Sequence, residues 1–153
     1  MDADCLIKLT KAQLKEGICA AFEVSIPSRV RAEVMVNAAS HPECAIVRRN
    51  LEAGVLAEIK GCPGRVKGED ALLAAFEGGD YAAIASDDKR FVKKLRLLGI
   101  PYITPAVLLL AMVKGKRLTV EEGFSALDRL SHMVSDDEVA VVKLKLGSLR
   151  DGR

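Results

Sequence analysis

The spacing of apolar and polar residues in the first half of the chain predicts alternating helices and short strands. Apolar residues at intervals of three or four predict helices over three segments: 5–15, 28–38 and 41–53. Apolar stretches bounded by turn residues predict strands over two segments: 22–26 and 54–59. Gly17 is the predicted end of the first helix, and Ser28 is the predicted N-cap of the second.

The second half of the chain has clearer boundaries between its predicted elements. Helices are predicted over five segments with apolar residues on one face: 69–77, 88–98, 106–113, 119–133 and 136–147. Strands are predicted over two apolar runs: 81–85 and 100–103. Thr119 and Glu122 have the spacing of a capping box. Phe91, Leu95 and Leu98 are predicted to face the core from one side of their helix.

Strands that are separated by helices predict an α/β fold with a mostly parallel sheet and helices on both of its faces. The length of 153 residues suits a single domain over 1–153, in which 119–153 forms a C-terminal helical extension. In such folds ligands bind beyond the carboxyl ends of the strands. Asp87 and Asp88 directly follow a predicted strand, so they are expected at that edge.

Composition narrows the classes of protein to consider. Apolar residues make up 50% of the chain but aromatic residues only 4%, so the core must be built from aliphatic side chains. The net charge of +2 neither requires nor excludes a nucleic-acid partner. The four cysteines form no C-x-x-C pair and there are only two histidines, which argues against a zinc site. Without a signal peptide or a long apolar run, we expect a cytoplasmic protein with no membrane segment.

Acidic residues recur at positions that solubility alone does not require. Asp2 begins the chain, Glu33 lies on a predicted helix, and two acidic pairs, 69–70 and 87–88, stand at helix starts or strand ends. Hard cations such as Mg²⁺ bind carboxylate oxygens and retain several water molecules. These acids are therefore predicted to converge on one divalent-metal site that activates water for attack at phosphorus.

The order of these acids resembles that of PIN domains, most closely the VapC-like metal-dependent ribonucleases. The resemblance rests on five segments: Asp2–Ile7, Ile26–Val34, Gly68–Ala75, Ile84–Phe91 and Leu98–Thr104. The first is similar to the Asp-x-x-x-Leu-Ile opening of the family, and the fourth to its Thr-x-Asp-x-x-Phe motif. The likeness extends from residue 2 to about residue 118 and lies in the order and spacing of the motifs together.

The resemblance implies a three-layer α/β/α fold and a Mg²⁺- or Mn²⁺-dependent endoribonuclease that hydrolyses RNA phosphodiester bonds. Its implied catalytic acids are Asp2, Glu33, Asp70 and Asp88. The implied metal ligands are Asp2, Glu69, Asp70, Asp87 and Asp88, with Asp4 and Ser86 in supporting positions. Lys89, Arg90 and Lys93 are the implied RNA-binding residues. The family has several apolar residues before its first Asp where this chain has only Met1, so the first strand is expected to be truncated or absent.

Other interpretations of the same residues stay open. Asp87, Asp88, Glu69 and Asp70 are also favoured as helix caps or in a first helical turn. The VapC-like resemblance implies a toxin with an antitoxin partner, and the apolar helices over 106–133 could form a homodimer. The alternatives are a PIN-like binding module that does not cleave RNA, and a phosphohydrolase of the haloacid dehalogenase type. In the latter, Asp2 and Asp4 would be the nucleophile and acid pair.

Overall fold

The structure, a computed structural model, describes residues 1–36, 41–59 and 67–152 and is a mixed α/β chain in which helices predominate. Its helices are α1 Ala3–Lys11, α2 Lys15–Ala21, α3 Ser28–Val36, α4 Pro42–Glu52, α5 Gly68–Gly78, α6 Lys89–Leu97, α7 Pro105–Lys114, α8 Val120–Leu130 and α9 Asp136–Arg150. Its strands are β1 Ser25–Pro27, β2 Ala57–Ile59, β3 Ile84–Ala85 and β4 Tyr102–Ile103. The expectation of α/β with parallel strands is confirmed at this level.

The strands form two parallel pairs that the start of the chain links. Strand β1 pairs with β2, and β3 pairs with β4. The Met1 ammonium donates to the carbonyl of Ser25 at 3.0 Å, and the Asp2 N–H donates to the carbonyl of Ala85 at 3.0 Å. Met1 and Asp2 therefore lie between β1 and β3, although neither belongs to a strand.

Helix α1 follows directly and is buried on two sides. Cys5 and Leu9 contribute to a core shared with α7, α8 and α9, while Leu6 contributes to a second core with β1, α3, α4 and α6. Because α1 packs against apolar side chains on both sides, this packing fixes the position of its first residues. The predicted 119–153 extension supplies α8 and α9, which pack on α7 within the first of these cores.

Several element boundaries differ from those that the sequence pattern predicts. Gly17 lies inside α2 and does not end the first helix, because the chain turns earlier at Gln13, whose φ is +59°. The predicted strand over 81–85 is only two residues long. Leu98 is 55% exposed, so its predicted place in the core is wrong. It follows the last turn of α6 as the C-cap, past the face that Phe91 and Leu95 bury.

One predicted turn and the end of one predicted helix lie outside the residues that the structure describes, and the described helices can be compared with the length of a membrane span. The predicted turn over 61–64, with Cys62, lies outside the described residues, as does Ala38 at the end of the second predicted helix. Within 1–36, 41–59 and 67–152, no helix has the length and apolar character needed to cross a membrane.

Candidate functional site

Asp2 is held at the N-terminus of α1 by backbone and side-chain hydrogen bonds. Its Oδ1 accepts a hydrogen bond from the Cys5 N–H at 2.7 Å, which makes Asp2 the N-cap of α1. Its carboxylate also accepts a hydrogen bond from the Ser86 side chain. Burial raises the pKa of Asp2, and the bonds from Ser86 and Cys5 only partly offset this effect. The ionised carboxylate is therefore costly unless a further positive charge approaches it.

The Met1 ammonium lies close to this carboxylate but does not neutralise it fully. Burial lowers the pKa of the Met1 ammonium, while the charge of Asp2 acts in the opposite direction. Its hydrogen bond to Ser25 ties it to β1. The start of the chain thus lies between the two strand pairs and presents one half-buried acid at the carboxyl end of β3.

Ser86 connects Asp2 with the acidic pair that follows β3. The Ser86 side chain is fully buried, bonds the Asp2 carboxylate and accepts a hydrogen bond from the Asp88 N–H at 3.2 Å. Asp88 Oδ1 accepts from the Phe91 N–H at 2.8 Å, so Asp88 is the N-cap of α6. One carboxylate oxygen of Asp2 and one of Asp88 are thus used in capping, and the Asp2 carboxylate accepts a further bond from Ser86.

Asp87 points toward a different set of residues. Its Oδ2 lies 2.7 Å from Lys8 Nζ, and Lys8 Nζ lies 2.6 Å from Asp4 Oδ2. Burial lowers the pKa of Lys8, but the hydrogen bonds to Asp4 and Asp87 outweigh it and raise the pKa overall. Asp87 Oδ1 is buried without a hydrogen-bond partner in the described structure. Asp4, for which the PIN resemblance implies a supporting position, is mostly exposed and forms an ion pair with Lys8.

The remaining predicted acids lie on α3 and at the start of α5. The Glu33 carboxylate lies against Gly68, where a Cβ atom would come 2.6 Å from Glu33 Oε2. Arg29 Nε lies 3.4 Å from Glu33 Oε1. Glu69 and Asp70 are both exposed, and Asp70 Oδ1 pairs with Lys94 Nζ at 3.1 Å. Gly68 therefore lets the Glu33 carboxylate reach the N-terminus of α5, where the helix dipole favours negative charge.

The described acids thus form two local sets. Ser86 links the Asp2 carboxylate with the backbone N–H of Asp88, and the Glu33 carboxylate lies against Gly68, two residues before Asp70. In the part of the chain that the structure describes, no group of three or more His, Cys, Asp or Glu side chains is arranged to hold a metal ion. The convergence of all six acids on one site, which the sequence predicts, stays a prediction.

The predicted RNA-binding residues lie on the outer face of α6, beside the Ser86 set. Lys89, Arg90 and Lys93 are exposed. Farther along the same helix, Lys94 is engaged by Asp70 and Arg96 by the Tyr102 hydroxyl, at 2.6 Å from Nη2. The cations nearest Asp88 are thus accessible to a phosphate backbone.

Sequence reasoning missed Lys8 and the capping role of Asp2. Lys8 and Asp87 are 79 positions apart, and no local pattern predicts such a contact. The capping role had a local signal, since Asp directly precedes a helical apolar pattern at Asp2. Comparison of this chain with protein-family models, with curated proteins and with solved structures gave no match. Its own residues are the basis for assigning a function.

Proposed function

We propose that this chain is a PIN-like endoribonuclease that uses Mg²⁺ or Mn²⁺ to hydrolyse RNA phosphodiester bonds. The observation that carries the proposal is the link through Ser86 between Asp2, at the start of α1, and Asp88, at the start of α6. Two acids distant in sequence meet at the carboxyl end of β3, where α/β folds bind ligands. The proposed enzyme has four catalytic acids. Two of them, Asp2 and Asp88, are linked through Ser86, and the other two are Glu33 and Asp70.

The order of the strands supports a PIN-like three-layer arrangement. In space, the order from one edge to the other is β2, β1, the Met1–Asp2 segment, β3 and β4. A central Asp at the end of a first strand is what the PIN resemblance implies. Here Met1 and Asp2 each make one hydrogen bond to a neighbouring strand, Met1 through its ammonium to β1 and Asp2 through its N–H beside the end of β3.

The chemistry of the donor atoms fits a hard divalent cation. Mg²⁺ is commonly held by one or two carboxylates together with water and substrate phosphate. Asp2 and Asp88 each retain one carboxylate oxygen outside their capping bonds, and burial raises the pKa of Asp2, which a cation would reverse. A divalent ion held there supplies a more acidic water and neutralises charge on the phosphate.

The remaining roles belong to side chains of the chain itself. Ser86 bonds both the Asp2 carboxylate and the Asp88 N–H, and so joins the starts of α1 and α6 at the carboxyl end of β3. Lys89, Arg90 and Lys93 bind the RNA backbone next to the reacting phosphate. Asp88 is assigned ahead of Asp87 as a metal ligand because Asp87 forms a largely buried ion pair with Lys8, whereas the ion pair of Asp70 with Lys94 is exposed to solvent. Asp70 is assigned ahead of Glu69 through the PIN resemblance.

A metal-dependent RNA-cleavage assay tests the proposal. Asp88→Asn and Asp70→Asn remove one charge each, and Asn retains the ability of Asp88 to cap α6. We expect both variants to lose at least tenfold in Mn²⁺-dependent cleavage while melting at nearly the same temperature as the parent chain. Asp128→Asn, an exposed change on α8, is the matched control and keeps full activity. Equal cleavage by all four proteins would overturn the proposed mechanism.

A second candidate, a PIN-like module that binds RNA without cleaving it, is favoured by one observation. The described acids form two local sets, with no group of three that could hold a metal. For this candidate, RNA binding persists in EDTA, depends on Lys89 and Lys93, and is accompanied by no Mn²⁺-dependent product. The same gel that measures cleavage therefore separates the two candidates, if free and bound RNA are resolved on it.

A further inference from the structure

An apolar cleft beside Met1 lies between the two strand pairs. Its volume is about 280 Å³, far above the roughly 10–15 Å³ that one water molecule needs. Strands β1 and β3 and helices α5 and α7 all contribute to its walls, whose largest apolar side chains are Phe22, Leu72, Phe76, Tyr81 and Leu108. Asp2, Ser86 and Asp88 do not line it, so the cleft is separate from the candidate site.

The backbones of β1 and β3 direct hydrogen-bonding groups toward this cleft. The carbonyl of Ser25 accepts from the Met1 ammonium, and the carbonyl of Ala85 accepts from the Asp2 N–H. Because the N–H and C=O of one strand residue lie on the same side, the N–H groups of Ser25 and Ala85 also point away from β2 and β4. Among the residues that the structure describes, neither N–H has a partner. A strand between β1 and β3 would supply carbonyl oxygens to both.

Met1 and Asp2 already lie where such a strand would end. Asp2 is extended, with φ −79° and ψ 167°, and the two residues bond to opposite neighbours, as successive residues of a central strand do. Adjacent strands are about 4.7–4.9 Å apart, so β1 and β3, bridged in this way, leave the width of one strand between them. The cleft continues past Met1 along both strands, to Glu23 on one side and Ala82 on the other.

The lining of the cleft favours an occupant with apolar side chains. Leu72 and Leu108 belong to the two different cores, so an occupant is covered on both faces. A parallel strand that is buried on both faces is a nearly continuous apolar run. Phe22 and Tyr81 in the same cleft are 40% and 36% exposed, and apolar side chains exposed together are typical of interaction surfaces.

The Met1 ammonium and Glu23 give the two ends of the cleft opposite charges. Burial lowers the pKa of the ammonium, so a further carboxylate beside it would be stabilising. Glu23 is exposed two residues before Ser25, toward the amino end of β1. A peptide that runs parallel to β1 brings its carboxyl end to Met1 and its amino end to Glu23, which matches both charges.

We propose that this cleft binds the apolar C-terminal strand of a partner protein, parallel to β1 and β3, with its terminal carboxylate at the Met1 ammonium. The last residue of that strand accepts from the Ala85 N–H and donates to the Ala83 carbonyl. The residue before it pairs in the same way with Ser25 and Glu23. The two strand pairs then become one sheet of five strands, a case of recognition by strand addition. This inference does not depend on the proposed ribonuclease function.

Titration of a synthetic peptide into the full chain tests the proposal without a cleavage assay. The probe is Ac-KKVIVV with a free carboxylate, followed by calorimetry and by the amide NMR shifts of Ser25 and Ala85. We expect saturable binding that shifts both amides, at least tenfold weaker binding of the C-terminal amide of the same peptide, and no binding of the polar control Ac-KKSSGS. No saturable binding, unmoved Ser25 and Ala85 amides, or equal affinity of acid and amide would each overturn the proposal.

Two neighbouring alanines of α5 provide a matched pair of variants. Ala75 lines the cleft, whereas Ala74 is exposed and does not line it. Ala75→Phe is expected to weaken binding of Ac-KKVIVV at least tenfold, and Ala74→Phe to leave it unchanged, with both variants melting cooperatively. If a folded Ala75→Phe binds the peptide as the parent does, the cleft is not its binding site.

Two further probes keep the proposal testable if Ala75→Phe does not fold. A chain with Val-Ile-Val-Val fused before Met1 supplies the strand within the same molecule, so it is expected to melt above the parent and to bind no free peptide. Retained peptide binding by this fusion would contradict the assignment. Sodium decanoate offers an apolar chain and a carboxylate but no backbone groups. If it bound as tightly as the peptide and displaced it, the cleft would be a site for fatty acids and the strand would be wrong.

Discussion

The backbone N–H of Asp2 donates to the carbonyl oxygen of Ala85 at 3.0 Å. This single bond places the second residue of the chain beside the end of β3, directly before Ser86. The carboxylate of Asp2 then reaches the Ser86 side chain, and burial raises its pKa. An acid is thus kept in a position where its charge is unfavourable, which is typical of functional sites.

The first prediction is that Asp2→Asn stabilises the chain relative to the parent as the pH rises. The folded-state pKa of Asp2 lies above its ordinary value of 3.8, so the folded state binds more protons than the unfolded state between the two values. The parent therefore loses free energy of unfolding as the pH rises through this window. Asn has no such loss and still caps α1.

Urea unfolding of both proteins at several pH values between about 4 and 7 measures this difference. The gap between the two midpoints is expected to widen with pH and then to level off above the folded-state pKa of Asp2. The charge of Asp2 also raises the pKa of the Met1 ammonium, so Met1 contributes to the difference at any pH where that ammonium titrates. A gap that stays constant with pH would show that burial of Asp2 is not costly.

The second prediction concerns the contact between Gly68 and Glu33. In Gly68→Ala the new Cβ would lie 2.6 Å from Glu33 Oε2 and 2.9 Å from Oε1, so the Glu33 carboxylate must move. The flexible end of the side chain can do so at little cost, and Ala is a better helix former than Gly by about 1 kcal/mol. We expect little change in melting temperature but at least a tenfold fall in Mn²⁺-dependent cleavage.

Gly78→Ala, at the other end of α5, is the matched control because no atom lies within 4 Å of its new Cβ. It should leave cleavage unchanged. Glu33→Gln should resemble Gly68→Ala in activity if the position of the Glu33 charge is what matters. Full activity of Gly68→Ala would remove Glu33 from the proposed catalytic acids.

The third prediction compares two threonines at helix N-caps. Thr119 accepts a hydrogen bond from the Glu122 N–H, and Glu122 bonds back to the Thr119 N–H at 2.7 Å. Thr119→Ala should therefore cost about 1 kcal/mol of unfolding free energy. Thr104 makes no capping bond, so Thr104→Val should cost little or nothing. Urea unfolding of the two variants checks this order, and an equal loss in both would contradict it.

Local patterns predicted those features that depend on neighbours in sequence. The Thr119–Glu122 capping box is confirmed, because it depends on residues within four positions. Ser28 is instead the first residue of α3, and its hydroxyl donates to the carbonyl of Ile59 at 3.2 Å. Strand lengths were overestimated, since the apolar run over 81–85 pairs with β4 only at its last two residues. Tyr81 and Ala82 are exposed at the start of that run.

In the candidate site, too, local patterns predicted what depends on neighbours in sequence but not the contacts between distant parts of the chain. The nearness of Asp87 and Asp88 to a strand end was predictable from the apolar run before them. Their different partners were not predictable, because Asp87 binds Lys8 from the opposite end of the sequence while Asp88 caps its own helix. Alternate residues leave a strand end in opposite directions, and only the tertiary fold determines what each one meets.

The fourth prediction concerns the packing of α7, α8 and α9. In Gly123→Ala the new Cβ would come 2.7 Å from Val113 Cγ2 and 3.2 Å from Leu146 Cδ2, both in the buried core. Overpacking of this kind should lower the free energy of unfolding by about 1–3 kcal/mol. Gly147→Ala, on α9 with no atom near its new Cβ, should instead raise it by about 0.5–1 kcal/mol through helix propensity. Thermal melts of both variants test this contrast, and a stabilised Gly123→Ala would mean that the three helices pack less closely than the distances at Gly123 indicate.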